Sequence, residues 1–441
     1  WSSDVCSSDL VKDAYGNPVQ GVTVTWATDL GVMSSSTSVT DSSGQATATL
    51  KGTQAGIAQV TASVNGSTPV NAASVTLTAD STSAAVASGD ISVDKTTLVA
   101  NATDTATYSA VIKDANGNVV PGVTVNWATD KGTLSGSTSV TGTDGVAKIN
   151  LSSTVAGDAQ VAVKIGSSAS VNAPVVNFTA DSASAGINSS DLTVDKTTLV
   201  ANNTEFATYT AIVKDAGGNL VPGVSVSWAT SNGTLSGANS TTGTDGKATI
   251  TLKSTVAGNA QVTATVNGTP VNASNVTFTA DTATAAIGSG DLTVDKTNVV
   301  ANDIDIATYT ALVKDANGNA VPNIAISWAT NLGTLSGATS NTGDDGKATI
   351  TLKGTKAGDA TVNATVNGAS QPAAAVTLIA DVTTATVTNL TASLSKMTGT
   401  GTESSVLTVT VKDAHGNAIP AGQPVSWSTT LGTLVDTTTQ T

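Results

Sequence analysis

Short segments in which apolar and polar side chains alternate run through the whole chain. In residues 106–112 the core-type positions are Ala106, Tyr108, Ala110 and Ile112, with one residue between neighbours. This period of two is typical of a strand with one buried face. Similar alternation returns at 123–127, 147–151, 159–165 and 176–180. We therefore predict a chain built from short strands.

Turn residues separate these strands. Asn116-Gly117 and Thr143-Asp144-Gly145 mark tight turns, and Pro121 stands just before a strand, where its missing N–H does no harm. Residues 82–181 then hold about seven short strands, with a tryptophan on the third main strand, which predicts an immunoglobulin-like β-sandwich.

The same pattern recurs about every 100 residues. The triplet Lys-Asp-Ala begins at Lys12, Lys113, Lys214, Lys314 and Lys412. A repeated unit of this length is long enough to bury its own core, so we interpret the repeats as separate domains. The expected domains are a partial module 1 (11–81), module 2 (82–181), module 3 (182–281), module 4 (282–381) and a truncated module 5 (382–441).

The repeating aromatic residues are predicted to be core residues. They are Trp26, Trp127, Trp228, Trp328 and Trp427, together with Tyr108, Tyr209 and Tyr309. The tyrosine position holds Leu407 in module 5, and this exchange suits a packed core better than a catalytic site. The predicted fold class is all-β, with disulfide-free tandem immunoglobulin-like sandwiches arranged as an elongated rod.

Composition excludes several functions. The net charge is −14, the chain has no arginine, and the lysines are scattered singly. Because nucleic-acid binding requires clustered cations, we exclude it. No apolar run approaches the roughly 18 residues needed to span a bilayer. Cys6 and His415 are the only cysteine and histidine, which excludes thiolate zinc sites and argues against imidazole sites.

The first ten residues, WSSDVCSSDL, break the repeat. They resemble the translated read-through of a sequencing adapter, so we interpret residues 1–10 as a non-native segment and exclude them from fold reasoning. Trp1 and Cys6 lie inside this segment. The remaining sequence then has no cysteine.

With the strands placed, the modules resemble the bacterial Ig-like domains of the invasin and intimin family of surface adhesins. The matching motifs of module 3 are Val194-Asp195-Lys196-Thr197, Lys214-Asp215-Ala216 with Gly218-Asn219, Val221-Pro222-Gly223-Val224, Trp228-Ala229-Thr230, Gly233-Thr234-Leu235 and Thr244-Asp245-Gly246-Lys247-Ala248. The resemblance covers essentially residues 11–441.

The resemblance implies an extracellular stalk of an outer-membrane adhesin, with a membrane β-barrel at one end and a receptor-binding tip at the other. We therefore expect a monomeric spacer at the bacterial outer-membrane surface that projects a distal binding tip. A host-cell or surface receptor would bind a tip domain, and the membrane would be reached through an anchor domain, neither of which is part of this sequence.

Two other functions remain as alternatives. In the first, the sandwiches are themselves carbohydrate- or protein-binding modules; in the second, they are spacer repeats of a large secreted enzyme. We do not expect the chain itself to be an enzyme, since Glu205 and Glu403 are its only glutamates and no nucleophile has a histidine nearby.

Aspartates recur near the expected module boundaries, and we interpret them as turn caps on an acidic surface. The alternative is a Ca²⁺ ion shared by two modules, for which the candidate ligands are Asp80, Asp90, Asp181, Asp191, Asp281 and Asp291. The loop Asp114-Ala115-Asn116-Gly117-Asn118 lacks the terminal glutamate of a calcium loop and is predicted to be a plain turn. No other cofactor is expected.

Overall fold

The computed structural model describes residues 10–441. Residues 1–9 of the segment interpreted as non-native, with Trp1 and Cys6, lie outside this range. In the described part, short strands alternate with turns, and the helical elements are 3₁₀ turns of three residues each, at Ser81–Ser83, Ser88–Asp90, Ser182–Ser184, Ser189–Asp191, Thr282–Thr284 and Val382–Thr384. No helix of residues 10–441 has the length and apolar character that crossing a bilayer requires.

The strands follow the repeat. Module 1 contains β1 (Thr23–Thr28), β2 (Val32–Met33), β3 (Thr37–Val39), β4 (Leu50–Lys51), β5 (Gly56–Ala58), β6 (Val60–Val64), β7 (Val70–Asn71) and β8 (Val75–Leu77). Module 2 contains β9 (Ile91–Val93), β10 (Thr97–Val99), β11 (Ala106–Val111), β12 (Thr124–Thr129), β13 (Thr133–Leu134), β14 (Thr138–Val140), β15 (Val146–Ser152), β16 (Gly157–Ala159), β17 (Val161–Ile165), β18 (Val171–Asn172) and β19 (Val176–Thr179).

Modules 3 and 4 repeat this series. Module 3 contains β20 (Leu192–Val194), β21 (Thr198–Val200), β22 (Ala207–Ile212), β23 (Ser225–Thr230), β24 (Thr234–Leu235), β25 (Asn239–Thr241), β26 (Lys247–Lys253), β27 (Gly258–Ala260), β28 (Val262–Val266), β29 (Thr269–Asn272) and β30 (Val276–Thr279). Module 4 contains β31 (Ala286–Val294), β32 (Asn298–Val300), β33 (Ala307–Lys314), β34 (Ala325–Thr330), β35 (Thr334–Leu335), β36 (Thr339–Asn341), β37 (Lys347–Lys353), β38 (Gly358–Ala360), β39 (Val362–Val366), β40 (Ala369–Pro372) and β41 (Val376–Ile379). Module 5 contains β42 (Thr386–Ala392), β43 (Leu407–Lys412), β44 (Pro424–Ser426) and β45 (Thr438–Gln440).

Modules 2, 3 and 4 share one sheet topology. In module 2 the strand orders are β13-β15-β11-β9, β14-β12-β17-β18 and β10-β19-β16. Strand β10 runs parallel to β19, whereas the other pairs of this module are antiparallel. This arrangement confirms the predicted all-β, immunoglobulin-like fold.

Several strands are divided because the chain passes from one sheet to another. Strand β16 pairs with β19, but β17, which begins after the single residue Gln160, pairs with β12. Module 2 therefore contains eleven strand segments, where the alternation in the sequence predicts about seven strands.

The core lies between the sheets of each complete module. Tyr108, Tyr209 and Tyr309 are fully buried. Trp26, Trp127, Trp228 and Trp328 are buried as well, and the indole N–H of Trp127 donates to the Ser139 hydroxyl at 2.8 Å. A buried indole needs such a partner, and the other tryptophans have one at the same spacing.

Trp427 departs from the prediction of a core residue and is only half-buried. The described residues of module 5 form two separate two-stranded sheets, β42-β43 and β44-β45. Two isolated strand pairs offer too little apolar surface to enclose a tryptophan on all sides.

The described residues group into two compact units. The first comprises residues up to 186 with 212–224 and 241–247, and it contains modules 1 and 2 with one end of module 3. The second comprises residues 187–211, 225–240 and 248–441.

Candidate functional site at the module junctions

A tight loop after strand β11 begins the site. The Asp114 carboxylate accepts hydrogen bonds from the backbone N–H groups of Asn116 and Asn118, both at 2.9 Å. Gly117 closes the turn at φ +87°, where a Cβ would be strained. Asp114 itself is only 7% exposed, so this loop places a carboxylate in a nearly buried position.

The Asn118 side chain extends from this loop to module 1. Its Nδ2 donates to the backbone oxygen of Thr53 at 2.8 Å, and its Oδ1 accepts from the backbone N–H of Ala55 at 2.8 Å. The amide therefore pairs with two backbone groups as a neighbouring strand would. Nδ2 also donates to Asp114 Oδ2 at 2.8 Å, which fixes the orientation of the amide.

The same arrangement, which we call the junction clasp, recurs at each later module boundary. Asn219 bonds Thr154 and Ala156, Asn319 bonds Thr255 and Ala257, and Asn417 bonds Thr355 and Ala357, all at 2.8–2.9 Å. In module 1, Asp13 and Asn17 make the internal bonds of the loop. Each clasp of modules 2–5 lies within one of the two compact units.

The carboxylate of the clasp also holds the segment that links two modules. Asp114 Oδ2 accepts the backbone N–H of Asp80 at 3.1 Å, and Asp215, Asp315 and Asp413 hold the corresponding residues in the same way. A second bond runs from the N–H of Ala115 to the Ser83 hydroxyl at 3.3 Å. The clasp therefore joins three segments, which are the preceding module, the linker and the following module.

Hydrogen bonds keep these carboxylates ionised. The Asn118 side chain is the main cause that lowers the pKa of Asp114 to about 2 from its ordinary value of 3.8. Burial opposes ionisation of Asp215, Asp315 and Asp413, but bonds from the following asparagine and from the linker amide outweigh it and lower each pKa. The clasp therefore contains a charged acceptor, which makes stronger hydrogen bonds than a neutral one.

The aspartates considered for calcium have structural partners. Asp80 and its equivalents Asp181 and Asp281 accept a backbone N–H of the following 3₁₀ turn. Asp90 forms an ion pair with Lys113, and Asp291 forms one with Lys314 at 2.8 Å. Asp191 stands at the corresponding position of module 3. Within residues 10–441, no three His, Cys, Asp or Glu side chains lie together as a metal site requires. A Ca²⁺ ion shared by two modules therefore stays the alternative to the predicted turn caps.

The sequence predicted the turn but missed its contact with the preceding module. A signal was present, because Asp, Gly and Asn of this loop are the same in all five copies, while the third position is Tyr15, Asn116, Gly217, Asn317 or His415. The partner segment shows the same contrast. Its threonine and alanine recur, while the residue between them is Gln54, Val155, Val256 or Lys356.

Fold and junctions together define a chain of tandem immunoglobulin-like β-sandwich modules. Residues 8–86, 88–179, 189–279 and 289–379 match the bacterial Ig-like domain (group 1) model, and the chain belongs to this family.

The relatives of the chain are adhesins. It is 31% identical over 469 residues to the inverse autotransporter adhesin YeeJ of Escherichia coli strain K12, a match that covers 100% of this chain and 19% of YeeJ. It is 38% identical over 171 residues to intimin of Escherichia coli O157:H7, covering 38% of this chain and 18% of intimin. The chain thus spans less than a fifth of the length of either relative.

Solved structures of intimin and invasin are also similar to this chain. The D0-D1 domain of intimin is 37% identical, with 43% of this chain and 97% of that chain covered and a TM-score of 0.20. Invasin, described as a bacterial integrin-binding protein, is 19% identical, with 87% and 77% covered and a TM-score of 0.40.

Proposed function

We propose that this chain is part of the extracellular stalk of a bacterial surface adhesin and acts as a spacer for a distal binding tip. The observation that carries the proposal is the junction clasp, which recurs with nearly the same distances at four boundaries. A joint that is repeated without variation suits a structure whose function depends on the number of its modules.

The clasp supports this role because it restricts the linker. A free linker of a few small residues would let two modules swing about each other. Here the linker amide of Asp181 and the preceding module's Ala156 both bond to side chains of one loop, at 3.0 and 2.8 Å. These bonds oppose bending at the joint.

The length of such a stalk follows from strand geometry. The longest extended stretches of module 2 are β15, with seven residues, and residues 157–165 through β16 and β17. With their loops, stretches of this length give a module of about 40 Å, so four to five modules in line extend about 150–200 Å. In this proposal, the spacer lies at the outer surface of the outer membrane. Receptor binding and membrane anchoring belong to other domains of the full protein.

The proposal assigns no enzymatic activity to these modules. The recurring aspartates are used in caps, clasps and ion pairs. Glu205, one of the two glutamates, accepts the backbone N–H of Val200 at 3.0 Å. These contacts support a structural role for the acidic residues. Glycoside hydrolysis would instead require two carboxyl groups that flank a substrate bond.

Small-angle scattering of the whole chain tests the stalk. Modules in line give a radius of gyration of about 50 Å from the length above, whereas a compact chain of this size gives about 22 Å. A value near 22 Å would contradict the proposal. Replacing Asn118, Asn219, Asn319 and Asn417 by alanine should lower the radius of gyration with the strand content unchanged, while Asn17→Ala should leave it unchanged.

A further inference from the structure

The second and last strands of each complete module lie side by side and run in the same direction. In module 2, β10 pairs in parallel with β19, with Thr97 opposite Asn177 and Val99 opposite Thr179. The same parallel pair is formed by β21 and β30 in module 3 and by β32 and β41 in module 4. The last strand ends next to the point where the chain leaves the module, and the first strand (β9, β20 or β31) lies between the point of entry and the second strand.

This direction determines how a pull on the two ends acts on the module. Once β9 has separated from β11, tension draws β10 towards its N-terminal end and β19 towards its C-terminal end. Because the strands are parallel, the two forces point in opposite directions along the strand axis, and the hydrogen bonds between the strands run across that axis. The force therefore shears the strands past each other and loads all of these hydrogen bonds at once. If the two strands were antiparallel, the same pull would open their bonds one after another.

Backbone hydrogen bonds and buried apolar contact hold the parallel pair of strands together. The Asn177 N–H donates to Thr96 O at 2.8 Å, and the Ala100 N–H donates to Thr179 O at 2.8 Å. Between these bonds, Leu98 and Phe178 stand opposite each other in the core, 4% and 1% exposed. Modules 3 and 4 repeat both backbone bonds at 2.8 Å, between Thr277 and Thr197, Ala201 and Thr279, Thr377 and Thr297, and Ala301 and Ile379.

The junction clasps resist the same pull less well. Each depends on a few hydrogen bonds at the edge of a module, made by one asparagine and one aspartate. The parallel pair combines backbone bonds with buried apolar contact, which water cannot replace without exposing the core.

We propose that the parallel pair of second and last strands is a force-bearing clamp, which keeps each complete module folded under tension after the junction clasps have opened. The clamp is a property of the single module and does not depend on the stalk proposal. A compact scattering result would contradict the stalk proposal, whereas the clamp is tested separately by unfolding the modules under force.

Single-molecule pulling of the whole chain at constant force, with one handle at each end, tests the clamp. We expect three similar unfolding steps, one each for modules 2–4. Each step should release about 85–90 residues and lengthen the chain by about 250–300 Å. In modules 1 and 5, the described residues form no such parallel pair, so these modules should extend earlier.

The decisive variant is Ala201→Pro, which removes the N–H that bonds Thr279 O in module 3. One of the three steps should occur about five- to tenfold faster, as expected for the loss of one hydrogen bond from the loaded set. The control is Val200→Pro in the same strand, because the Val200 N–H points to Glu205 and not to β30. No acceleration in Ala201→Pro, or equal acceleration in both variants, would overturn the clamp.

If calorimetry shows that a proline variant prevents module 3 from folding, a milder pair of substitutions tests the clamp. Thr279→Val removes only the hydroxyl bond to Leu199 O at 3.3 Å, which crosses the clamp. Thr277→Val, two residues earlier in β30, removes a hydroxyl bond to Asn259 Oδ1 at 2.8 Å, on the opposite side of the strand. The clamp requires faster unfolding under force in Thr279→Val than in Thr277→Val, and the reverse order overturns it.

Discussion

The Asn219 side chain is held by Asp215, four residues before it. Its Nδ2 donates to both carboxylate oxygens of Asp215, at 3.0 Å to Oδ1 and 2.8 Å to Oδ2. In this orientation the same amide pairs with the backbone of Thr154 and Ala156 in the preceding module. One short loop therefore fixes both its own conformation and the joint.

Asn219→Ala should loosen this joint. The substitution removes the bonds to Thr154 and Ala156 and leaves the nearly buried Asp215 with fewer donors. We expect a loss of about 1–2 kcal/mol in the free energy of unfolding, because unsatisfied buried groups are costly. Calorimetry measures this loss, and hydrogen exchange of the Ala156 amide should become faster. Asn17→Ala is the matched control in module 1, and an equal effect there would contradict the role of the clasp.

Acid should weaken the junctions within a defined range of pH. The pKa of Asp114 is lowered from 3.8 to about 2 by the Asn118 side chain first of all, and the pKa of Asp215 is lowered as well. A lowered pKa in the folded state contributes stability that is full above the unfolded value near 4 and is lost as the pH falls towards 2.

The melting temperature should therefore be nearly constant from pH 7 to about 5 and fall between about pH 4 and 2. Asp215→Asn should reduce the part of this fall that belongs to its junction. Asp245→Asn changes an exposed turn aspartate that bonds Lys247, and it should leave the profile as it was. A larger change with Asp245→Asn than with Asp215→Asn would show that the clasp carboxylate is not responsible.

Removing the core tyrosine hydroxyl should destabilise module 2 but not module 3. Tyr108 donates to the backbone oxygen of Pro174 at 2.9 Å, whereas the buried hydroxyls of Tyr209 and Tyr309 have no partner among the described residues. Tyr108→Phe should cost about 1 kcal/mol, and Tyr209→Phe should be neutral or stabilising. Urea unfolding of both variants measures the difference. A larger loss in Tyr209→Phe would be inconsistent with this hydrogen-bonding pattern.

A substitution at a strained backbone position of module 2 should raise the stability of this module. Ala102 has φ +65°, and the equivalent positions hold Asn203 and Asp303 at φ +61° and +63°. Alanine is disfavoured in this left-handed region, so Ala102→Gly should stabilise module 2 by about 0.5–1 kcal/mol. Ala106→Gly, in the following strand, should instead destabilise the module. Thermal unfolding would refute the argument if both substitutions lowered stability equally.

Chelation should leave the junctions unchanged. Asp90 and Asp291 are paired with lysines, and the Asp80 carboxylate caps a 3₁₀ turn, so these oxygens already have partners. We expect the same melting temperature with and without excess EDTA. A fall with EDTA that added Ca²⁺ reverses would instead support the alternative of a shared calcium ion.

The strands and the core could be read from the alternation of residues. Tyr108 and Trp127 are buried as their positions in the pattern require. The exception is Trp427, which has the same sequence context but only two isolated strand pairs around it. Local pattern indicates which face of a strand is apolar, while burial depends on whether other strands are present to cover that face.

The sequence by itself determined the strands, their buried faces, the turns and the number of copies, because each of these depends on residues within a few positions of one another. Only the tertiary structure decided that β10 lies parallel to β19, about 80 residues later, and that Asn118 reaches the carbonyl of Thr53, 65 residues earlier. Such partners are selected by the packing of whole sheets and modules, which no local period encodes. A repeat of about 100 residues therefore predicts modules, and the fold decides how they are joined and how they resist a pull.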